Sequence, residues 1–298
     1  KKAKDGVNTR VRDYERSLSH IVDYCISEKV DVFVQTGDVF DSRNPLPEHM
    51  SIVDSAARRL SNAGISTIIM MGNHDYKRNG KDFSSSISLL ASKDYANVRM
   101  VLSPEVIEVS NGNDSANILL VPYRDKRMYD GDSCEKCSSG YNSHIKNLIS
   151  DIDNENPIVA IGHNFYFEGS YNDFGGSEVL ADIKSFSGCD LVAMGHQHNF
   201  RIVRKKNPIA IYTGSMEKLN FGDSKVDKYF IDYDSVNKKI NIKKVPTRDL
   251  CDFEIDLVGV KVSDIDDAIE KSINDLDVKD KIVRARILIN ESITSSVS

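Results

Sequence analysis

Four short apolar runs in this chain each lead into a glycine, and each glycine is followed at once by a side chain of a type that binds metal ions. The runs are "VDVFVQ", "ISTIIMM", "PIVAI" and "DLVAM", and they lead into Gly37-Asp38, Gly72-Asn73-His74-Asp75, Gly162-His163 and Gly195-His196-Gln197-His198. Runs this short and rich in β-branched residues predict buried strands rather than helices. Ligands of layered α/β folds bind at the carboxyl ends of strands, so the pattern predicts that these polar side chains meet at one sheet edge.

Two amphipathic helices are predicted before the first two runs. Apolar residues recur at helical spacing at Tyr14, Leu18, Ile21, Val22 and Cys25, and again at Met50, Val53, Ala57 and Leu60. Gly64 is placed to end the second helix just past its last turn. The alternation of helix and buried strand predicts the α/β fold class. A chain of 298 residues, 40% of them hydrophobic, is long enough for one large and one small domain.

Composition excludes several classes of protein. The first residues lack the apolar core of a signal peptide, and the longest apolar runs are too short to cross a bilayer, which predicts an intracellular protein.

The five cysteines are an odd, scattered set, as expected of reduced thiols. Cys134 and Cys137 are either part of a zinc site or two thiols in a polar loop, and the second interpretation is favoured because no second pair of ligands lies nearby.

The net charge of −6 argues against a uniformly basic nucleic-acid-binding protein. The residues from Asp252 onward carry 11 acidic and 6 basic side chains, a balance of −5, so the rest of the chain sums to about −1. Each basic cluster is either a solvated face or part of a surface for nucleic acid. The clusters are Lys1, Lys2 and Lys4; Arg10, Arg12 and Arg16; Arg124, Lys126 and Arg127; and Arg201, Arg204, Lys205 and Lys206.

The side chains after the four runs form a set of candidate metal ligands: Asp38, Asn73, His163, His196 and His198. His196 and His198 are two residues apart, so in extended backbone their imidazoles face the same side. Carboxylate, amide and imidazole ligands without a thiolate suit Mn²⁺, Fe or Zn²⁺. Asp38 has two oxygens and can bridge two ions, which in two-metal hydrolases lie about 3.5–4 Å apart. The other histidines, His20, His49 and His144, stand in helical or polar contexts and are interpreted as structural or exposed.

The segments "GDVFD", "GNHD", "GHNFYFEG" and "GHQH" together resemble the calcineurin-like metallophosphoesterases. More narrowly they resemble the SbcD nucleases and their eukaryotic meiotic-recombination (MRE) counterparts. Two further segments carry that narrower resemblance: "GDVFDSRNP", with its trailing proline, and "YTGSMEKLNFGD", from Tyr212 to Asp223. The resemblance covers nearly the whole chain.

The resemblance implies a layered β-sandwich flanked by helices, with a small α+β capping domain, and a site that holds two manganese ions. It implies that Asp38 bridges both ions, that Asn73, His163 and His196 complete one of them, and that His198 contributes to the other. It also implies that His74, oriented by Asp75, faces the scissile phosphate and protonates the leaving oxygen or stabilises transition-state charge.

The chain departs from the family at its beginning. The family opens with a strand that ends in Asp-x-His-x-Gly, and nothing from Lys1 to Leu18 supplies that motif. Asp5-Gly6 is not an adequate substitute, because no strand precedes it and no histidine follows two residues later. We expect the natural protein to carry the motif before Lys1, and the alternative is a degenerate enzyme.

The last part of the chain predicts a second unit, with residues 1–250 as the nuclease domain and 251–298 as an incomplete capping domain. "FEIDLVGV" predicts a strand, and Ser263 is placed to cap a helix whose apolar stripe is Ile265, Ala268, Ile269, Ile273 and Leu276. "KIVRARILIN" alternates, which predicts Val283, Ala285, Ile287 and Ile289 inward and Arg284 and Arg286 outward. The alternative to a capping domain is an ordinary α+β appendage.

Together these features predict a manganese-dependent DNA exonuclease or endonuclease subunit of a double-strand-break repair complex. By resemblance its partners are DNA, an SbcC-type coiled-coil ATPase and a second copy of the chain, with the homodimer formed around Met50 to Leu60. Its location would be the cytoplasm or nucleoid, or the nucleus in a eukaryote. Two alternatives stay open: a phosphoesterase for small molecules or phosphoproteins, and a catalytically silent subunit that dimerises and holds the ATPase on DNA.

Overall fold

The structure, a computed structural model, describes residues 8–79, 82–91, 95–112, 114–129, 131–152, 155–167, 179–274 and 276–289. The helices are α1 (Thr9–Glu28), α2 (Pro47–Asn62), α3 (Ser88–Ala91), α4 (Cys134–Ser150) and α5 (Ile265–Asn274). The first strands are β1 (Val32–Gln35), β2 (Ser66–Met70), β3 (Tyr76–Asn79), β4 (Asp82–Ser85), β5 (Val98–Val101), β6 (Glu105–Asn111), β7 (Asp114–Val121) and β8 (Ile158–Gly162). The later strands are β9 (Phe165–Phe167), β10 (Leu180–Asp182), β11 (Leu191–Met194), β12 (Arg201–Lys205), β13 (Ile209–Tyr212), β14 (Lys228–Asp234), β15 (Lys239–Val245), β16 (Leu250–Asp256) and β17 (Ile282–Leu288).

Two sheets form the centre of the fold. The larger has the strand order β12-β13-β11-β8-β7-β6, and the smaller has the order β1-β2-β5. The strands that lead into the candidate site are parallel within each sheet, with β8 beside β11 and β1 beside β2. Apolar side chains from both sheets, such as Ile68 of β2 and Val159 of β8, share one buried core. The sheets therefore pack face to face, with their β2 and β8 side chains between them.

Helices cover the outer faces of this sandwich. The larger sheet packs against α4, where Tyr141 and Ile145 join the same buried cluster as Val192 of β11. On the other side, Val22 of α1 and Leu60 of α2 are buried in one cluster. The α/β class and the layered sandwich predicted from the sequence are thus confirmed. No helix in the described ranges combines the length and the hydropathy needed to cross a bilayer.

The four apolar runs form β1, β2, β8 and β11, as predicted. Gly64 has the left-handed φ of +79° expected at the end of α2. Part of the apolar face of α2 packs within the chain, since Ala56, Ala57 and Leu60 are buried. Arg59 likewise contacts Ser19 and Asp23 of α1. Most of this face therefore stabilises the monomer fold.

The C-terminal unit corrects two predictions. A short 3₁₀ turn, Val262–Asp264, precedes α5, and the Ser263 hydroxyl donates to the Asp264 carboxylate, so Ser263 does not cap the helix as predicted. The predicted inward face of β17 is wrong at Val283 and Ile287, which are about 40% exposed, whereas Ile289 packs against the small core as predicted. Ile265 and Ile255 form the small buried core of this unit, between α5 and β16. β17 is left exposed because it pairs with β16 alone in the described residues, and the short α5 packs over β16.

Some predictions concern residues outside the described ranges. These are the interpretation of Asp5-Gly6, the first basic cluster, and the end of the predicted capping domain after Ile289.

Replacing Leu60 with alanine should lower the free energy of unfolding by about 3 kcal/mol, because Leu60 is 1% exposed and its loss leaves a cavity between α1 and α2. Denaturant titration measures the change. Val236→Ala is the control, since Val236 is 56% exposed, and should change stability by less than about 0.5 kcal/mol. Equal effects of the two substitutions would contradict the buried packing of Leu60.

Candidate metal centre

The candidate site lies where four parallel strands end. Asp38 follows β1, Asn73 follows β2, His163 follows β8 and His196 follows β11. Because β8 pairs with β11 and β1 pairs with β2, each sheet supplies two neighbouring loops. The packing of the sheets brings the two pairs of loops together at one edge.

Four side chains converge there. The Asn73 Oδ1 atom lies 2.9 Å from His196 Nδ1 and 3.0 Å from His163 Nε2. His163 Nε2 is also 3.1 Å from Asp38 Oδ2. The ligand atoms of Asp38, His163 and His196 all lie within 4.8 Å of one another. The structure thus brings together four of the five side chains that the sequence nominated as ligands.

A hydrogen bond from the Nδ1 atom of His163 determines which ring nitrogen carries the proton in the neutral imidazole. His163 Nδ1 lies 2.7 Å from the backbone carbonyl oxygen of Thr36, which only accepts, so Nδ1 carries the proton. In the neutral ring, Nε2 then presents a lone pair to the oxygens of Asp38 and Asn73. His163 Nε2, Asp38 Oδ2 and Asn73 Oδ1 are electron-rich atoms that face one another, an arrangement that fits a bound cation. The mixed nitrogen and oxygen donor set suits Mn²⁺, Fe or Zn²⁺.

The pKa shifts at the site favour metal-binding protonation states. Burial raises the pKa of Asp38, but the hydrogen bond and charge of a doubly protonated His163, with the His74 amide, outweigh burial, so the net pKa of Asp38 is lowered. A bound cation would take the place of that Nε2 proton. Burial, followed by the neighbouring His163, lowers the pKa of His196 to about 4. At neutral pH Asp38 is therefore a carboxylate and His196 a neutral imidazole, which are the forms that bind metals.

Three glycines are required by the close approach of the loops. A Cβ atom on Gly37 would lie 2.2 Å from His163 Nδ1, and one on Gly72 would lie 2.1 Å from Asp38 Oδ1. A Cβ atom on Gly195 would lie 2.2 Å from the Thr36 carbonyl oxygen. Any larger residue would displace a candidate ligand or break the bond that orients it. This explains physically why these strands lead into glycines.

Two of the candidate ligands have strained backbone. Asp38 has a φ of 55° and His196 a φ of 75°, in the left-handed region that residues with a Cβ rarely adopt. Such strain persists only where the surrounding structure imposes it, and it clusters at functional sites. Its occurrence at two members of one cluster supports a functional role for the cluster.

Asp75 and His74 each make hydrogen bonds to backbone groups beside the candidate ligands. The Asp75 carboxylate is fully buried and accepts hydrogen bonds from the backbone amides of Val39, Phe40 and Gly72. The His74 imidazole instead lies with Nδ1 3.2 Å from the carbonyl oxygen of Asp41. The Asp75 carboxylate therefore joins the backbone of the loop after β1 to that of the loop after β2, and burial raises the pKa of Asp75 despite those hydrogen bonds.

His74 remains beside the candidate ligands. Its backbone amide donates to Asp38 Oδ1 at 2.8 Å, and its side chain is 40% exposed. The backbone of His74 is thus held at the site, and its imidazole is partly exposed beside it.

His198 is the one nominated ligand outside the cluster. Its side chain is exposed, and among the described residues the group within 4.8 Å does not include it. It is nevertheless close enough for its charge to lower the pKa of His196. Its carbonyl oxygen accepts from the Lys228 ammonium at 3.0 Å and from the Ser215 amide at 3.0 Å.

Lys228 was not predicted from the sequence. It is 1% exposed, and its ammonium also lies 3.2 Å from the buried carboxylate of Asp223. A lysine at the start of a strand is usually exposed to solvent, so nothing in the sequence marked Lys228 as buried. The nearest predicted feature was the segment from Tyr212 to Asp223, which contains its partner Asp223. The buried Lys228–Asp223 pair fixes the loop that carries His198.

The chain is similar to a known protein family and to several known proteins. The sequence signature of the calcineurin-like phosphoesterase family matches residues 12–200. The chain is 22% identical over 246 residues to the SbcD subunit of the nuclease SbcCD of Escherichia coli strain K12, covering 74% of this chain and 59% of that protein. It is 24% identical over 243 residues to the DNA double-strand break repair protein Mre11 of Methanosarcina acetivorans, covering 80% of this chain and 36% of that one.

A solved structure of TT1561 from Thermus thermophilus is also similar, with a TM-score of 0.47 and 12% identity over 77% of this chain and 93% of that one.

The chain belongs to the calcineurin-like phosphoesterase family, since the family signature covers more than half of it. The resemblance noted in the sequence is confirmed at this level, with nucleases of the SbcD and Mre11 type among the distant relatives. The chain spans less than two thirds of the length of both of these relatives.

Gly72→Ala should weaken Mn²⁺ binding by on the order of 10–100-fold, because the new methyl group displaces the Asp38 carboxylate. Isothermal titration calorimetry measures the affinity. Gly140→Ala is the matched control, since a Cβ there meets only ordinary contacts, the nearest being Tyr129 Cδ1 at 3.4 Å. An unchanged affinity in Gly72→Ala would exclude Asp38 as a ligand.

Proposed function

We propose that this chain is a manganese-dependent DNA nuclease subunit that hydrolyses phosphodiester bonds with two metal ions. The observation that carries the proposal is the convergence of Asp38, Asn73, His163 and His196 at one sheet edge in a chain of the phosphoesterase family. Asp38 and the three other side chains would hold one ion, and His198 with a share of Asp38 would contribute to the second.

The residues of the site have distinct roles in this proposal. Bound divalent ions supply the positive charge that activates water and stabilises the phosphoryl group. His74 acts on the leaving group, since the Asp41 carbonyl holds the proton on Nδ1 and leaves Nε2 to carry the transferred proton. A water molecule then bonds to phosphorus and releases one proton to solvent, the bond from phosphorus to the leaving oxygen breaks, and the doubly protonated His74 ring donates its Nε2 proton to that oxygen. His74 regains a proton from solvent after the leaving group departs.

DNA is the proposed substrate because two relatives carry names that refer to a nuclease and to double-strand break repair. The unit from Leu250 onward has a helix and a sheet of its own, and we assign it as a capping domain that orients DNA. The subunit would work in a repair complex within the cell, with an SbcC-type coiled-coil ATPase and a second copy of the chain. One relative is itself named as a subunit, which supports a complex.

In a form of the chain with the Asp-x-His-x-Gly strand placed before Lys1, hydrolysis of duplex DNA ends should require Mn²⁺ and be poorly supported by Mg²⁺, because imidazole ligands favour manganese over an ion that prefers oxygen and water. The experiment compares release of nucleotides from labelled duplex DNA in the two metals, with bis(p-nitrophenyl) phosphate and a phosphopeptide as alternative substrates.

The alternatives give different results in that experiment. Faster hydrolysis of the phosphopeptide or the small ester than of DNA would indicate a phosphoesterase of another substrate class. DNA binding without hydrolysis of any substrate would indicate a silent scaffold. Equal turnover of DNA in Mn²⁺ and Mg²⁺ would contradict the assigned ligands.

His74→Ala should lower turnover by on the order of 10²–10⁴-fold while metal content and DNA binding stay nearly unchanged, because His74 contributes a proton and no metal bond. His144→Ala is the control, since His144 is exposed on α4, and should retain full activity. Metal analysis by mass spectrometry accompanies the kinetics. Loss of a metal ion from His74→Ala would refute the role.

A further inference from the structure

Two of the five cysteines lie close together at the start of one helix. Cys134 is the first residue of α4 and Cys137 lies in the same turn, whereas the sequence suggests a polar loop there. Both are free thiols. The candidate metal centre uses neither of them, and no group of three metal-binding side chains in the described ranges includes either one. The pair is therefore a reactive feature that the proposed function leaves unexplained.

The helix that carries the pair connects two parallel strands. β7 and β8 are neighbours in the larger sheet, and α4 lies between them in the chain. A Cys-x-x-Cys sequence at the start of the helix in such a β-α-β unit is typical of thiol–disulfide redox motifs. Ser133 caps this helix by accepting a hydrogen bond from the Lys136 amide at 3.2 Å. Both thiols are thus held on a regular first turn.

The two thiols differ in their access to solvent. Cys134 is partly exposed, and its sulfur lies 3.9 Å from the Ser138 hydroxyl. Cys137 is 2% exposed, and its sulfur lies 3.5 Å from the carbonyl oxygen of Gly131 and 3.7 Å from that of Tyr129. In redox-sensing sites an accessible thiol is oxidised first and a neighbouring thiol then completes a disulfide. The unequal exposure assigns the first role to Cys134 and the second to Cys137.

Helical geometry allows a bond between these two positions. Residues three apart in an α-helix have Cα atoms about 5 Å apart, which is within the range of roughly 4.4–6.8 Å found for disulfides. Their Cβ atoms are about 5–6 Å apart, against roughly 3.5–4.5 Å in a disulfide, so the first turn must tighten for the bond to close. A disulfide formed in this way is easily reduced again.

The other three cysteines are not placed for this reaction. Cys25 and Cys189 are buried, at 6% and 5% exposed. Cys251 is partly exposed, but it has no other cysteine near it in the sequence. The chain therefore offers internal controls for the reactivity of Cys134.

We propose that Cys134 and Cys137 form a redox-active dithiol that a hydroperoxide converts into a disulfide. The Cys134 sulfur attacks the terminal peroxide oxygen, the oxygen–oxygen bond breaks, and the products are Cys134 sulfenic acid and one alcohol or water. The Cys137 sulfur then attacks the Cys134 sulfur, a sulfur–sulfur bond forms, and the sulfenic oxygen leaves as water with the Cys137 proton. The two thiols lose two electrons and two protons, and the peroxide gains them.

The disulfide would change what the first turn of α4 holds in place. In the reduced chain the Cys137 thiol donates to the carbonyl oxygens of Tyr129 and Gly131, in the loop that follows β7. A disulfide sulfur has no proton to donate, so this loop loses both contacts. Hydrogen exchange of the Tyr129 amide, which bonds to the Lys126 carbonyl, should therefore be several-fold faster in the oxidised chain.

The test treats the full chain with hydrogen peroxide, with EDTA present so that trace metals do not decompose it. Mass spectrometry of the intact chain should show the loss of two hydrogen atoms, and thiol titration in denaturant should fall from five thiols to three. Peptide mapping without reductant should join Cys134 to Cys137. Dithiothreitol should restore the starting mass.

Substitutions separate the two steps of the reaction. In Cys137→Ala, the Cys134 sulfenic acid should persist and react with dimedone. Cys134→Ser should give neither the dimedone adduct nor the disulfide at the same peroxide dose, because Cys137 is buried. Cys251→Ser is the matched control, since it removes the other partly exposed cysteine, and should form the disulfide like the unaltered chain. Thermal unfolding checks that each reduced variant folds, and Cys134→Ser keeps the test decisive if Cys137→Ala does not.

Several results would overturn the proposal. Peroxide could leave all five thiols intact, or carry Cys134 on to sulfinic acid while Cys137 stays a thiol. Zn²⁺ that binds the unaltered chain but not Cys134→Ser, and that protects both thiols, would assign the pair to a metal site instead. Equal exchange of the Tyr129 amide in both redox states would contradict the effect on the loop. None of these results depends on cleavage of DNA, so this inference and the proposed function fail separately.

Discussion

The hydrogen bond between His163 and the backbone of Thr36 is the interaction on which the rest of the site depends. It joins residues 127 positions apart in the chain and links the end of β8 in one sheet to the end of β1 in the other. It fixes the distance between the two sheets at their carboxyl edges and sets the tautomer of His163. Because the ring must fit between Gly37 and Gly195, both positions exclude a Cβ atom.

The same edge shows how the fold holds strained residues in place. Asp38 and His196 have left-handed backbone, which costs about 1–3 kcal/mol at each residue. The buried Asp75 carboxylate ties the β1 loop to the β2 loop by three backbone hydrogen bonds, and the Lys228–Asp223 pair anchors the loop after β11. Buried polar groups that would otherwise be costly are satisfied here by one another, so the loops form a rigid frame around the candidate ligands.

The sequence by itself determined the strands, the glycines that follow them and the residue types delivered to one sheet edge, because these depend on local periodicity and on the conformations that glycine alone adopts easily. It also predicted the flanking helices and the phosphoesterase resemblance. Only the tertiary structure decided which candidate ligands converge, that His198 stays outside the tight cluster, that Asp75 bonds to the backbone of two loops, and that β17 is exposed. These features depend on the packing of strands that are distant in the chain, and periodicity within a single strand carries no information about that packing.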